Sequence, residues 1–223
     1  MLERALAIDA GLAQAYAYLA IVCGTEYVNA WSGRTASDLE HALVLARKAC
    51  EVDAFEAVSH HALALTLMWL RRLDEAESAA RRAIELDPNS SQSHGTLGGV
   101  LHFTGRHEQA LESFEQALRL DPQMNLWLQA QGRVEFALGR YNDAEATFKR
   151  RLIHMPESDV TRAYLASLYG HTDRHDEARR VWRELMAINP QYTIEHTLRV
   201  LPYTNPAPLE QFVEGLRKAG LMQ

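Results

Sequence analysis

The sequence predicts an all-α fold: a right-handed superhelical solenoid of antiparallel helix pairs with a C-terminal capping helix pair. Two similar stretches lie 34 residues apart, RRLDEAESAARRAIELDPNS at 71–90 and GRHEQALESFEQALRLDPQM at 105–124. Prolines keep the same period at Pro88, Pro122, Pro156 and Pro190. A fixed period of this length is typical of repeat proteins, whose units stack into one continuous core.

Each repeat is predicted to be a helical hairpin. In the unit 57–90 the first helix has an apolar stripe at Leu63, Leu67 and Leu70. A short break follows, and the proline at the end of the unit stops the second helix. Alanines on one side of the second helix allow the two helices to pack closely; they are Ala76, Ala79, Ala80 and Ala83.

The unit of 34 residues, with paired helices and this placement of small, aromatic and proline residues, resembles the tetratricopeptide repeat. The period predicts these divisions: a partial repeat with only its second helix at 1–12, a unit with a ten-residue insertion at 13–56, further units at 57–90, 91–124, 125–158 and 159–192, and a C-terminal cap at 193–223.

Two segments carry a closer resemblance. They are AQAYAYLAIVCGTEYVNAWSGRTASDLEHALVLARKACEVD, from residue 13, and LPYTNPAPLEQFVEGLRKAGL, from residue 201. Together they resemble the C-terminal repeat region of bacterial class III adenylate/guanylate cyclases. This resemblance implies a regulatory or localising array of a signalling protein, with the nucleotide cyclase domain outside this chain.

The insertion predicts a lengthened hairpin in the first complete unit. Cys23, Tyr27 and Trp31 are spaced four apart, so the first helix is expected to continue for about two extra turns. Ser37 and Glu40 form a capping box that opens the partner helix. Tyr27 and Trp31 would lie near the tip, either packed within the hairpin or available for docking or dimerisation.

The repeat family implies a concave groove lined by the first helices of the units. The groove positions are predicted to be largely apolar and aromatic, with one cation: His61, Leu65, Met68, Trp69, His102, Phe103, Arg133 and Phe136. This composition suits an amphipathic helix or an extended apolar segment. A clamp for a terminal carboxylate is disfavoured, because only Arg133 is cationic. The alternative is a groove covered by another part of the protein or by a second copy.

One unit departs from the family pattern. Gln131, Glu135 and Arg151 occupy positions that are usually apolar. The sequence predicts that Glu135 and Arg151 form an ion pair that is partly shielded between the helices. Such a pair contributes little net stability, but removing one partner is costly.

Composition and motifs exclude several other classes of function. A net charge of -6 argues against nucleic-acid binding, and no apolar run is long enough to span a membrane. Two cysteines imply no disulfide framework and suit a reducing cytoplasm. No metal-binding, cofactor-binding or catalytic motif occurs, so we expect no metal, no cofactor and no enzymatic activity.

Two functions remain at the level of sequence. The first is a protein–protein interaction module that binds a protein or peptide segment in the groove. The second is a structural element that forms a homodimer and brings attached catalytic domains together, for which the partial N-terminal repeat and the Tyr27/Trp31 hairpin would be used.

Overall fold

The computed structural model describes residues 2–28 and 36–222, and within these ranges it contains thirteen α-helices and no β-strand. The helices are α1 (Leu2–Ile8), α2 (Ala13–Val28), α3 (Ala36–Val52), α4 (Ala57–Trp69), α5 (Leu73–Leu86), α6 (Ser91–Phe103), α7 (His107–Leu120), α8 (Leu126–Ala137), α9 (Tyr141–His154), α10 (Asp159–His171), α11 (His175–Ile188), α12 (Ile194–Val200) and α13 (Ala207–Lys218).

The helices pair in chain order. α4 packs on α5, α6 on α7, α8 on α9 and α10 on α11, and the second helix of each pair also contacts the first helix of the next pair. Small residues allow this close packing. A Cβ atom on Gly132 of α8 would lie 2.5 Å from the ring of Phe148 on α9, and Gly98 of α6 faces Phe114 of α7 in the same way. The predicted all-α solenoid is confirmed.

The turn inside each pair uses one residue with a left-handed backbone. The φ angles are +62° at Arg71, +83° at Gly105, +71° at Gly139 and +57° at Asp173, again 34 residues apart. Glycine adopts this conformation without a steric cost, whereas Arg71 and Asp173 adopt it at a cost. The repeat therefore fixes the conformation of the turn even where its residue is not glycine.

Arginines at one repeat position connect successive pairs across their second helices. Nη1 of Arg106 donates to Oε1 of Glu77 over 2.9 Å, and Nη2 of Arg140 donates to Oε1 of Glu108 over 2.6 Å. Arg174 reaches Glu145 in the same way, over 2.5 Å. These bonds join α7, α9 and α11 each to the second helix of the preceding pair.

We predict that Glu77→Gln lowers the free energy of unfolding by about 1 kcal/mol at neutral pH, because it removes a charge-assisted pair with Arg106. The hydrogen bond from Arg106 lowers the pKa of Glu77 to about 2. The contribution is therefore full above the ordinary pKa of 4.5 and is lost as the pH falls toward 2. Urea unfolding measures it. Glu85→Gln is the control, since Glu85 forms an exposed pair with Arg82; equal losses in both variants would contradict the prediction.

Candidate functional site

The candidate site is the inner face, which we define as the side of α4, α6, α8 and α10 that carries the predicted groove residues. The ring centroids of Trp69 and Phe103 are 6.1 Å apart. The guanidinium carbon of Arg133 lies 5.9 Å from the centroid of Phe103. Phe136 makes an edge contact with Tyr164 of α10 at 5.6 Å. Four successive first helices thus contribute to one aromatic surface, and a cation lies beside it.

The C-terminal segment, residues 194–222, covers part of this inner face. The ring of Tyr203 lies 4.9 Å from that of Phe103 and 5.0 Å from that of His102. Its hydroxyl is 2.5 Å from Nε2 of His102. The backbone N–H of Thr204 donates to the carbonyl oxygen of Phe103 over 3.0 Å. That carbonyl lies at the C-terminal end of α6, where a helix leaves its last acceptors unsatisfied.

Helix α13 lies against α10. Phe212 is fully buried, with its ring 4.5 Å from that of Tyr164. A Cβ atom on Gly170 would overlap the carbonyl oxygen of Gly215, and a Cβ atom on Gly215 would overlap Ser167. The two backbones approach this closely because both crossing residues are glycine. Helix α13 thus covers the last pair on its inner face.

Three further residues of the segment make hydrogen bonds to the helix pairs. Nη2 of Arg71 donates to the carbonyl oxygens of Arg199 and Leu201, over 3.0 and 3.2 Å. Nε2 of Gln211 donates to the carbonyl oxygen of Phe136 over 2.8 Å, at the C-terminal end of α8. The segment therefore connects the end of α4 to α10, across about three repeats.

The predicted groove residues divide into two groups by exposure. Five are buried: His61, Met68, His102, Phe103 and Phe136. The other three, Leu65, Trp69 and Arg133, are half-buried. The repeat pattern of the sequence did not indicate the residues that cover this surface. Tyr203, an aromatic residue between two prolines, was the available signal, and the family pattern assigned it only to the cap.

The residues around Tyr203 form a network without net charge. Burial holds the pKa of His102 well below its ordinary value, and the nearby Arg133 acts in the same direction. Burial also raises the pKa of Tyr203 well above its ordinary value. Nδ1 of His102 lies 3.1 Å from Nδ1 of His107, whose pKa is also lowered by burial. Neutral His102 can donate one hydrogen bond and accept the other.

Arg133 is the cation of the inner face. Within residues 2–28 and 36–222, it forms no ion pair with a carboxylate, and its Nε is buried without a hydrogen-bond partner. Its guanidinium group lies near the ring of Phe103, which is a favourable but weak arrangement.

The lengthened hairpin is described only in part. Helix α2 has 16 residues and α3 has 17, against 12 to 14 in the helices of the following pairs. Tyr27 is half-buried near the end of α2. Trp31 and the predicted tip lie outside the described residues, so the projecting hairpin stays a prediction.

The predicted Glu135–Arg151 ion pair is wrong. Both side chains are buried, but no ion pair joins them among the described contacts. Oε1 of Glu135 instead accepts a hydrogen bond from Nε2 of Gln131, one turn earlier on α8, over 2.7 Å. Burial raises the pKa of Glu135, which reduces the drive to pair with a cation.

His60 and His94 occupy equivalent positions in successive units and have a local role. Nε2 of His60 donates to the carbonyl oxygen of Ala54 over 2.9 Å, and Nε2 of His94 donates to that of Pro88 over 3.0 Å. Both anchor the turn before a first helix. Across the described part of the chain, no group of three or more His, Cys, Asp or Glu side chains is placed to hold a metal ion. None of the described helices is long and apolar enough to cross a membrane.

Comparison with known proteins supports the repeat assignment. A family model described as tetratricopeptide repeat matches residues 55–123. A protein named "Putative adenylate cyclase 3", of Rhizobium meliloti (strain 1021), is 59% identical over 221 residues. The match covers 99% of this chain but only 38% of that protein.

Solved structures share the fold at low identity. The structure of pilF from Pseudomonas aeruginosa is similar with a TM-score of 0.67 and 22% identity, over 96% of this chain and 90% of its own. The Cut9–Hcn1 structure is similar with a TM-score of 0.76 and 16% identity, and the match covers 90% of this chain and 38% of that one. The YrrB structure is similar with a TM-score of 0.58 and 17% identity, and the match covers 86% of this chain and 94% of that one. Residues 55–123 therefore match the tetratricopeptide repeat, and the described helix pairs share the fold of solved tetratricopeptide repeat structures.

Proposed function

We propose that this chain is a non-catalytic protein–protein interaction module whose inner face binds an apolar or amphipathic segment. Tetratricopeptide arrays have the extended concave surfaces that suit this role. The observation that carries the proposal is the C-terminal segment itself. It is an amphipathic helix preceded by an extended stretch, and it already lies on the inner face through Tyr203 and Phe212.

The setting that we propose is a regulatory or localising array of a bacterial cyclase-like signalling protein. The support is the 59% identity to a protein named as an adenylate cyclase, of which this chain spans 38%. The YrrB structure, described as having an unusual peptide-binding site, supports peptide binding by the same fold. A cytoplasmic location is part of the proposal, and it suits Cys23 and Cys50, neither of which is in a disulfide.

A photoreactive residue tests the proposal at the half-buried Trp69. In cells that express the chain, p-benzoylphenylalanine in place of Trp69 should form an adduct with a second protein. We expect Trp69→Ala to weaken binding of that protein about tenfold or more, as removal of an aromatic anchor does. Phe55→Ala is the control, because Phe55 is 77% exposed in the turn before α4. Unchanged binding by Trp69→Ala would show that the inner face is not the site.

The second candidate function is a dimerisation element. Tyr18 and Val22 of α2 are 43% and 45% exposed and lie one helical turn apart, so they form a small apolar strip on the helix that carries Tyr27. Sedimentation velocity tests this function. A dimeriser should form a stable dimer that Trp31→Ala or Tyr18→Ser weakens, whereas a chain that stays monomeric would contradict it.

A further inference from the structure

The solenoid binds the C-terminal segment largely through the main chain of that segment. Arg71 donates to the carbonyl oxygens of residues 199 and 201. Ser167 Oγ donates to the carbonyl oxygen of Phe212, and Nε2 of His171 to that of Gln211, both over 2.7 Å. Main-chain carbonyls are present in every peptide. These side chains can therefore hold any segment that follows the same path.

Three features of the segment are selective. The hydroxyl of Tyr203 meets His102, which is 1% exposed. Nine residues later, Phe212 fills a fully buried position against Tyr164. Gly215, three residues after Phe212, allows α13 to touch α10. Together they define a sequence pattern: a tyrosine in an extended stretch, followed by a helix with an aromatic residue and a small residue three positions apart.

The segment packs closely where these features lie, since Phe212 and Leu216 are fully buried. A pocket of about 170 Å³, partly open to solvent, lies beside Tyr203, with His102, His107 and Gln211 in its wall. An open depression lies between α12 and α13 of the segment itself, lined by Leu198, Leu209 and Val213 among others.

We propose that the inner face is an exchange site, where a segment of another protein with this same pattern binds in place of the C-terminal segment. The inference rests on the proposed function and adds two things to it: the chemistry of the partner and the competition within the chain. The C-terminal segment then acts as an internal competitor. A partner binds only to the fraction of molecules in which the segment has left, so its apparent affinity falls with that fraction.

Gly215→Leu in the full chain opens the site. Leucine favours a helix more than glycine does, so α13 stays helical, but its side chain cannot fit between α13 and α10. The probe is a labelled peptide of residues 198–219 with the native sequence. We expect it to bind Gly215→Leu about tenfold or more tightly than it binds the unsubstituted chain, as measured by fluorescence anisotropy. The same peptide carrying leucine at position 215 should bind neither chain.

Two results of the peptide assay would overturn the proposal. One is absence of peptide binding to a Gly215→Leu chain that limited proteolysis shows to be open after residue 193. The other is equal affinity for both chains, which would place the peptide elsewhere. If Gly215→Leu fails to fold by circular dichroism, Gly215→Ala combined with Tyr203→Phe weakens the same contacts with smaller changes. A dimer that exchanges its C-terminal segments, detected by mass, would assign the site to a second copy and also overturn the proposal.

The exchange site can fail its test while the proposed function still holds. A partner that crosslinks to position 69 while the peptide fails to bind would leave the interaction module intact. Its site would then lie outside the path of the C-terminal segment, and the segment would be a fixed cap.

Discussion

Phe212→Ala is expected to lower the free energy of unfolding by about 3–5 kcal/mol, the usual cost of deleting a buried phenylalanine ring. Phe212 is fully buried, and its ring lies 4.5 Å from that of Tyr164. The measurement is urea unfolding followed by circular dichroism.

Phe55→Ala is the matched control for this prediction. It deletes the same ring at a position that is 77% exposed, so the change should stay within about 0.5 kcal/mol. Limited proteolysis adds a second readout, since loss of the Phe212 contact should speed cleavage within the C-terminal segment. Equal and small losses in both variants would show that α13 does not pack against α10 as described.

Acidification from about pH 7 to about pH 5 is expected to lower the free energy of unfolding. His61 alone should account for about 2 kcal/mol of this loss. Burial lowers the pKa of His61 from 6.5 to about 4. Below pH 6.5 the unfolded chain binds a proton at this residue that the folded chain does not bind. The stability that comes from keeping His61 neutral is therefore fully present above pH 6.5, and it is lost progressively as the pH falls toward 4.

His102 acts in the same direction, because burial also lowers its pKa well below the ordinary value. The ion pairs of Glu77 and Glu145 act in a separate window, since Arg106 and Arg174 lower the pKa values of these carboxyls to about 2. Their contributions change mainly below pH 4.5. A loss of stability between pH 6.5 and 5 thus reports on the histidines.

Urea unfolding at a series of pH values tests the histidine prediction. His61→Phe should remove about 2 kcal/mol of the loss on acidification, and His102 and His107 contribute to the remainder in the same direction. His154→Gln is the control, because His154 is exposed at the end of α9. A pH dependence that His61→Phe leaves unchanged would contradict the prediction.

The arrangement of helix pairs could be predicted from the sequence because it depends on local and periodic features. Proline ends each second helix at a fixed step, and small residues such as Gly98 and Gly132 mark where two helices approach. The turn conformation follows too, since Gly105 and Gly139 indicate a left-handed residue that Arg71 and Asp173 share by position. Each of these signals lies within one unit and is repeated.

The hydrogen-bond partner of Glu135 could not be predicted from the repeat. The repeat register assigned Glu135 and Arg151 to positions that are usually apolar, and both are buried. It could not predict the partner of Glu135, because Gln131 on the same helix competes for the carboxylate. A choice among hydrogen-bond partners depends on side-chain conformations, and a repeat pattern does not specify them.

The period of the sequence is enough to predict the solenoid, with its helix pairs, their close packing and the apolar character of the inner face. The position of the C-terminal segment on that face is known only from the packed structure. The contact between Tyr203 and His102 joins residues 101 positions apart, and the contact of α13 with α10 requires Gly170 and Gly215 to meet. The segment occurs once, so no period reveals its path. Its position depends on burial and carbonyl contacts that exist only after the repeats have stacked.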